Sequence, residues 1–238
     1  MRVAIIQSCY IPWRGYFDII DSVDFFLIFD DVQFPVGRSW RNRNRVKTPR
    51  GLQWLTVPLR EKQGLSIDQV EIGEAPRPWR DQHRRLLHES LANAPHFGDA
   101  LRLWNEAVSA DTQYISALNF CLIKAICDYL AITTPIVTSR HYAASGAKTG
   151  RLIDLLVKVG ATTYVSGPVA KDYLDEDMFR RHNIALEYKS YDYPPYPQLY
   201  GDFESAVTVL DLIANCGPQA RQYLSSHSPN QIAIPRSC

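Results

Sequence analysis

Two short apolar runs, Val3-Ala4-Ile5-Ile6 and Phe25-Phe26-Leu27-Ile28-Phe29, flank a polar loop and a short helical pattern. Runs this short, rich in β-branched and aromatic residues and without alternating polar positions, read as strands buried on both faces. Between them, residues 7–13 (Gln-Ser-Cys-Tyr-Ile-Pro-Trp) break the pattern, and Pro12 fits a loop or a first helical turn. Phe17, Ile19, Ile20 and Val23 then give a short helix. Strand, loop, helix, strand is the opening of an open α/β sheet, and this constrains the rest of the chain.

The same rhythm returns later. Pro135–Thr138 reads as a strand, and 150–159 as a helix stopped by Gly160. Residues 162–165 read as a strand ending at Ser166-Gly167-Pro168, 171–182 as a helix and 184–188 as another strand. The expected fold class is therefore α/β, Rossmann-like, with an open, mainly parallel sheet and flanking helices. Two segments interrupt it. Residues 32–60 alternate charges and aromatics around the turn signal Pro49-Arg50-Gly51, which predicts a β-hairpin arm. Residues 78–130 predict a helical insertion, clearest at 114–130, where Ile115, Leu118, Leu122, Ile123, Ile126 and Leu130 share a face. Residues 191–200 hold too many prolines for regular structure, a last helix is expected over 203–214, and the polar tail after Ser225 is expected to fray. A length of 238 residues suits one α/β domain, 1–238, carrying the arm and the helical subregion.

Composition narrows function mainly by exclusion. The formal net charge is +1, so no global pull on nucleic acid exists and an anion site must be local. The five cysteines, Cys9, Cys121, Cys127, Cys216 and Cys238, form no CxxC, and no zinc or other metal site is expected. No run approaches the roughly 20 apolar residues that a bilayer needs, and Val3–Ile6 is too short for a signal-peptide core. The expected setting is cytoplasmic, with reduced thiols and no membrane contact.

Five segments could carry chemistry. Residues 7–17 (QSCYIPWRGYF) follow the first strand, where open α/β sheets bind ligands; Gln7, Tyr10, Trp13 and Tyr16 offer stacking and hydrogen bonds, unless they simply cover the core. The segment lacks the spaced glycines of a dinucleotide loop or P-loop. Asp30-Asp31 end the second strand and could hold a metal, act as a base, cap a turn or pair with the arm. In Arg38–Arg50 (RSWRNRNRVKTPR), positions 41, 43, 45 and 47 share a face on a strand. Arginine forks suit phosphate, and Trp40 with the asparagines favours a nucleotide or a nucleic-acid end, although a solvated edge strand is the plainer reading. Residues 164–173 place Ser166, Gly167, Lys171 and Asp172 at a strand-to-helix turn, either an anion site or a plain turn. The tyrosines of 188–200, Tyr196 and Tyr200 among them, suit sugar or base stacking, or packing of a C-terminal loop.

Cys9 sits at a strand end, but no histidine is near it in sequence, which argues against a nucleophile. The other cysteines read as small buried hydrophobes or, for Cys238, as a terminal residue. His83 and His88 are five apart, the wrong spacing for a metal pair, and read as surface or half-buried.

Taken together, QSCYIPWRGYFDII, FDDVQF with RSWRNRNRVKTPRGLQWLTVPL, YVSGPVAKDYLDE, and YPPYPQLYGDF with VLDLIANCGP resemble the signature blocks of the WbqC-like family, in the family's order and across nearly the whole chain. That resemblance implies a role near surface-polysaccharide (O-antigen) biosynthesis, typically acylation of an amino group on an activated sugar. It marks Gln7, Tyr10, Pro12, Trp13, Gly15, Tyr16, Asp30, Asp31, Arg38, Trp40, Arg41, Asn42, Arg43, Ser166, Gly167, Lys171, Asp172, Tyr196, Pro197 and Tyr200 as site positions. Cys9 stands where a small polar residue such as Asn is expected, which argues against a family-wide cysteine nucleophile.

The leading expectation is a transferase that places an acyl or aminoacyl group on an amine of a nucleotide-linked amino sugar or related small molecule, in surface-polysaccharide or secondary-metabolite biosynthesis. Asp30, Asp31 and Lys171 are its candidate catalytic residues; the arginines, aromatics and Ser166 turn would bind a phosphate-containing substrate. The donor is an activated acyl or aminoacyl group, with tRNA conceivable through the basic arm. The alternatives are an ATP- and magnesium-using ligase or nucleotidyltransferase, and a binding partner without turnover. On any of them Trp13, Arg41 and Ser166 should share one face. Arg41→Ala and Arg43→Ala should weaken binding with thermal stability nearly unchanged.

Overall fold

Period-2 alternation decides which side of the sheet each strand residue serves. The computed structural model describes residues 1–110 and 112–236; Cys238 lies outside them. Strand β1 (Arg2–Ile6) leads through helix α1 (Arg14–Asp21) to β2 (Phe25–Ile28). A two-stranded antiparallel ribbon follows, β3 (Arg43–Thr48) and β4 (Gly51–Thr56), then helices α2 (Trp79–Leu91), α3 (Phe97–Val108) and α4 (Ile115–Tyr129). The α/β rhythm resumes with β5 (Ile136–Thr138), α5 (Lys148–Lys158), β6 (Thr163–Ser166), α6 (Glu176–Arg181) and β7 (Ala185–Tyr188). Helix α7 (Val209–Cys216) and strand β8 (Gln231–Ile234) close the chain.

The six-stranded sheet runs β5-β2-β1-β6-β7-β8, parallel except for β8. Val3, Ile5, Leu27, Tyr164 and Leu186 point to one face, under α5 and α6, and join one apolar cluster. Ala4, Phe26, Ile28 and Val165 point to the other and join the larger cluster beneath α1, the ribbon, α3, α4 and α7. Burial on both faces is why these strands read as unbroken apolar runs.

Topology also builds a crevice. The chain winds from β1 to β2 and β5 on one side, then returns to place β6 on the other side of β1. Strands β1 and β6 pair only at Arg2↔Thr163 and Val3↔Tyr164, so their carboxyl ends part. Such a reversal point is where open α/β sheets bind ligands.

Three elements depart from the sequence expectation. The helix expected over 171–182 is a 3-10 turn, Pro168–Asp172, followed by α6, because Asp175 caps a new start by accepting from the amides of Asp177 and Met178. The last helix begins at Val209 rather than 203, where the Thr208 hydroxyl accepts from the Leu210 amide. The tail expected to fray forms β8 against β7, with Ile234 buried and Asn230 donating to Glu187. An edge strand with free amides takes a partner when one lies near, and polar composition did not prevent it. No helix among the described residues is long and apolar enough to cross a membrane.

Candidate functional site

A cleft of about 1030 Å³ occupies the parting of β1 and β6. Its walls come from the loop after β1 (Gln7, Cys9, Trp13 and, from α1, Tyr16), from Arg41, from the start of α5 (Lys148, Thr149, Arg151), from the turn after β6 (Ser166 to Val169, with Tyr173), and from Tyr191. Trp13, Arg41 and Ser166, far apart in sequence, thus meet on one cleft.

The loop after β1 is fixed from below. Its Ser8 amide donates to Asp30 at 2.8 Å, and Ser116 donates to the other Asp30 oxygen at 2.5 Å. From above, the Arg41 guanidinium donates to the carbonyls of Gln7 and Ser8 at 2.8 and 2.9 Å. Asn119 clamps both partners, donating to the Ser8 hydroxyl and to the Arg41 carbonyl. Burial pushes the Asp30 carboxyl up from its ordinary value, against the hydrogen bonds from Ser116 and Ser8. Burial likewise raises the Cys9 thiol, so it lacks the thiolate character of a nucleophile.

The opposite wall is cationic. Helix α5 starts without a side-chain cap, so the amides and dipole of its first turn are free for an anion. Arg151 leaves the same turn and donates to Asp31 at 2.6 Å; Ser139 donates to the other Asp31 oxygen. The Nε atoms of Arg41 and Arg151 are buried and meet no hydrogen-bond partner among the described residues. Among the described residues six non-glycine side chains sit in the left-handed region that L residues avoid; of these Lys148 (φ 50°) lines the cleft and Ile11 (φ 43°) lies in the loop after β1. Strain of this kind costs on the order of 1–3 kcal/mol and clusters at working sites.

The aromatic wall is Trp13 with Tyr191, ring centroids 5.0 Å apart, and Tyr193 packs against Trp13 at 5.9 Å without lining the cleft. A Cβ on Gly15 would stand 2.4 Å from the Trp13 ring, so glycine there lets the indole lie over α1. Behind this wall, Lys189 and Asp18 form a buried ion pair at 2.9 Å, and the Tyr193 hydroxyl donates to Asp18 at 2.6 Å.

The remaining sequence candidates fall elsewhere. Asp30 and Asp31 do not line the cleft; they hold residues that do. Lys171 lies on the exposed side of its turn, bonded to Gln231 and over the Tyr188 ring, and Asp172 is exposed beside it. Tyr10 is fully buried, bonded to His83 and Trp104. His83, read from sequence as surface or half-buried, is therefore a core residue. Tyr196 is buried and donates to Asp211, and Tyr200 donates to the Glu89 carbonyl; both fasten the C-terminal loop. Asn42 donates to the Val57 carbonyl at the base of the ribbon. Arg38, Trp40 and Arg43 lie outside the cleft lining, on the ribbon side. Lys47, expected to extend the arginine row, is instead buried and donates to Gln198 and to the Asp202 carbonyl.

Sequence reasoning missed Lys148, Thr149 and Arg151, and it marked the segments that hold Tyr173 and Tyr191 without singling out those two. For Lys148 and Thr149 a signal existed: Gly146-Ala147-Lys148-Thr149-Gly150 puts a cation and a hydroxyl between glycines at a helix start, with Arg151 next to it. Among the described residues no carboxylate or imidazole lines the cleft, and no three His, Cys, Asp or Glu side chains gather as a metal site would require.

The model of the WbqC-like protein family matches residues 7–223. A Mycobacterium tuberculosis protein named "Uncharacterized protein Rv1507c" is 44% identical over 226 residues, covering 94% of this chain and 97% of its own. No solved structure matches.

Proposed function

The chain belongs to the WbqC-like protein family, and from that premise we propose that its cleft binds an anionic, ring-bearing metabolite, a nucleotide-linked amino sugar, and that an acyl or aminoacyl group is transferred to its amine. The observation that carries this reading is the pairing of two walls across the β1–β6 parting. Arg41, Lys148, Arg151 and the start of α5 suit phosphate oxygens; Trp13, Tyr173 and Tyr191 suit the face of a sugar or base.

In the transfer, the amine nitrogen bonds to the donor's carbonyl carbon. The bond from that carbon to the departing oxygen or sulfur breaks, and the proton shed by nitrogen goes to the departing atom. No protein base is needed provided the amine arrives neutral, and neighbouring cations push an ammonium group toward that form. Arg41 and Arg151, held by backbone carbonyls and by Asp31, then act by orienting the acceptor, an effect of several kcal/mol when geometry is fixed. The absence of a carboxylate or imidazole from the described lining favours one second reading, a binding partner without turnover.

The test is a binding and turnover pair. Thermal shifts are measured with nucleotide-linked amino sugars, the matching uncharged sugars, acyl-coenzyme A, and ATP with magnesium. A ligand at 100 times its dissociation constant stabilises by roughly 2.7 kcal/mol. The nucleotide-linked sugar should shift the wild type, and Arg151→Ala should abolish the shift. Mass spectrometry with an activated donor then looks for the acylated amine. Stabilisation by uncharged sugars alone would overturn the reading; binding without product would leave the partner reading.

A further inference from the structure

The outer face of the β3–β4 ribbon carries side chains that the cleft does not use. Pairing sets Arg43 opposite Thr56, Arg45 opposite Trp54 and Lys47 opposite Leu52, all on one face. The Arg43 guanidinium lies 4.0 Å from the Trp54 ring centre. The Arg45 guanidinium lies 5.6 Å from Trp54 and 5.8 Å from Trp40, and the two indoles are 5.4 Å apart. Trp40 and Trp54 are 44% and 40% exposed.

The charge on this face is uncompensated. Arg50 at the ribbon's tip pairs with Glu89, but Arg38, Arg43 and Arg45 meet no carboxylate among the described residues. Desolvation, then the charge of Arg38, pull the Arg43 guanidinium down from its ordinary value. The Nε atoms of Arg43 and Arg45 are buried against their neighbours and meet no partner among the described residues. The charged ends of both side chains make no hydrogen bond to the protein among the described residues. A guanidinium placed over an indole, as Arg43 lies over Trp54, spends none of its N–H donors there, which leaves them free for phosphate.

We propose that this ribbon face is a docking surface for single-stranded nucleic acid, with Trp54 and Trp40 as base-stacking platforms and Arg38, Arg43 and Arg45 on successive phosphates. Alternating cation and indole match the alternating phosphate and base of one strand. A duplex hides its base faces and offers no ring to the indoles. An acidic protein partner would satisfy the arginines but leave two exposed tryptophans without flat rings to cover them. The docking surface is independent of what the cleft binds. It adjoins it, because Arg41, at the head of the same row, lines the cleft.

The test uses the whole protein and a fluorescein-labelled single-stranded RNA of about a dozen nucleotides, within the usual range of single-strand sites. The same sequence as a duplex, and heparin as a polyanion without bases, serve as comparisons. The single strand should bind in preference to both and quench tryptophan fluorescence. Its log–log salt slope should be near −2, at about −0.7 per phosphate over three arginines. Trp54→Ala should weaken binding by about tenfold or more, the effect of losing one stacked base, while Trp54→Phe keeps most of it. Arg43→Gln with Arg45→Gln should remove about 1.4 from the slope. Arg151→Ala, in the cleft, should leave RNA binding unchanged, and Trp54→Ala should leave the thermal shift by sugar nucleotides unchanged, so the two readings fail separately. Equal binding of heparin with no effect of Trp54→Ala would overturn the proposal. So would a dimer that Trp40→Ala and Trp54→Ala dissolve, because the face would then belong to a second copy.

Discussion

Replacing Tyr10 by phenylalanine removes one oxygen from the interior and leaves the volume otherwise unchanged. In the native structure the Trp104 indole donates to that oxygen at 2.8 Å, and the His83 Nδ1 atom lies 2.9 Å from it. Indole is a donor only, so the hydroxyl accepts from Trp104 and turns its own proton to the imidazole. Tyr10 and Trp104 are fully buried and His83 is 3% exposed, so no bulk water reaches the gap. Tyr10→Phe orphans two buried polar groups, each at about 1–3 kcal/mol, and we take about 3 kcal/mol for the pair. For a chain of this size that corresponds to a fall in Tm of roughly 6–12 °C. Calorimetry of wild type and variant measures it directly, and thermal shifts by cleft ligands should be the same size in both. A fall below about 2 °C would refute the reasoning, because it would mean the network contributes no net stability. Loss of ligand binding at unchanged Tm would return Tyr10 to the site.

Stability should also fall as the medium is acidified from about pH 6.5 to about 4. His83 is held by burial at about 4 against 6.5 unfolded, so over that interval the unfolded chain binds the extra proton. The loss attributable to it is about 3 kcal/mol, and His83→Phe should flatten that limb in pH-dependent denaturant titrations; an unchanged limb refutes the assignment. Lys189→Met alone should destabilise by roughly 3–5 kcal/mol by stranding Asp18, and adding Asp18→Leu should recover much of it in urea melts. Gly15→Ala should lower affinity for the cleft ligand with little change in Tm, since the clash is with the Trp13 side chain and not with backbone. Arg41→Ala should weaken the same binding but also lower stability by about 1.5–3 kcal/mol, because its guanidinium holds two loop carbonyls. That amends the expectation of an unchanged melt, which is kept for the half-buried Arg43, whose guanidinium holds no carbonyl among the described residues.

By itself, the sequence determined what depends on neighbours along the chain. Val3–Ile6 and Phe25–Ile28 are strands because their residues suit burial on both faces, and that implies a parallel sheet. Pro49-Arg50-Gly51 implies the hairpin turn, since Gly51 takes φ 92° where other residues are strained. The family blocks marked Gln7, Trp13, Arg41 and Ser166, which do line the cleft. Only the tertiary structure decided which polar groups face solvent and which face each other. Asp30, Asp31, Tyr10 and Tyr196 carry chemistry-bearing side chains in marked segments, yet each is occupied by a partner 15 to 120 positions away. Conversely, Arg151 and Tyr191 join the cleft only because β6 returns beside β1, a crossing that no local pattern encodes. Hydrophobic periodicity reports burial against the sheet, whereas the contents of a cleft are set by long-range strand order, where loop-closure entropy and packing, not local preference, choose the neighbours.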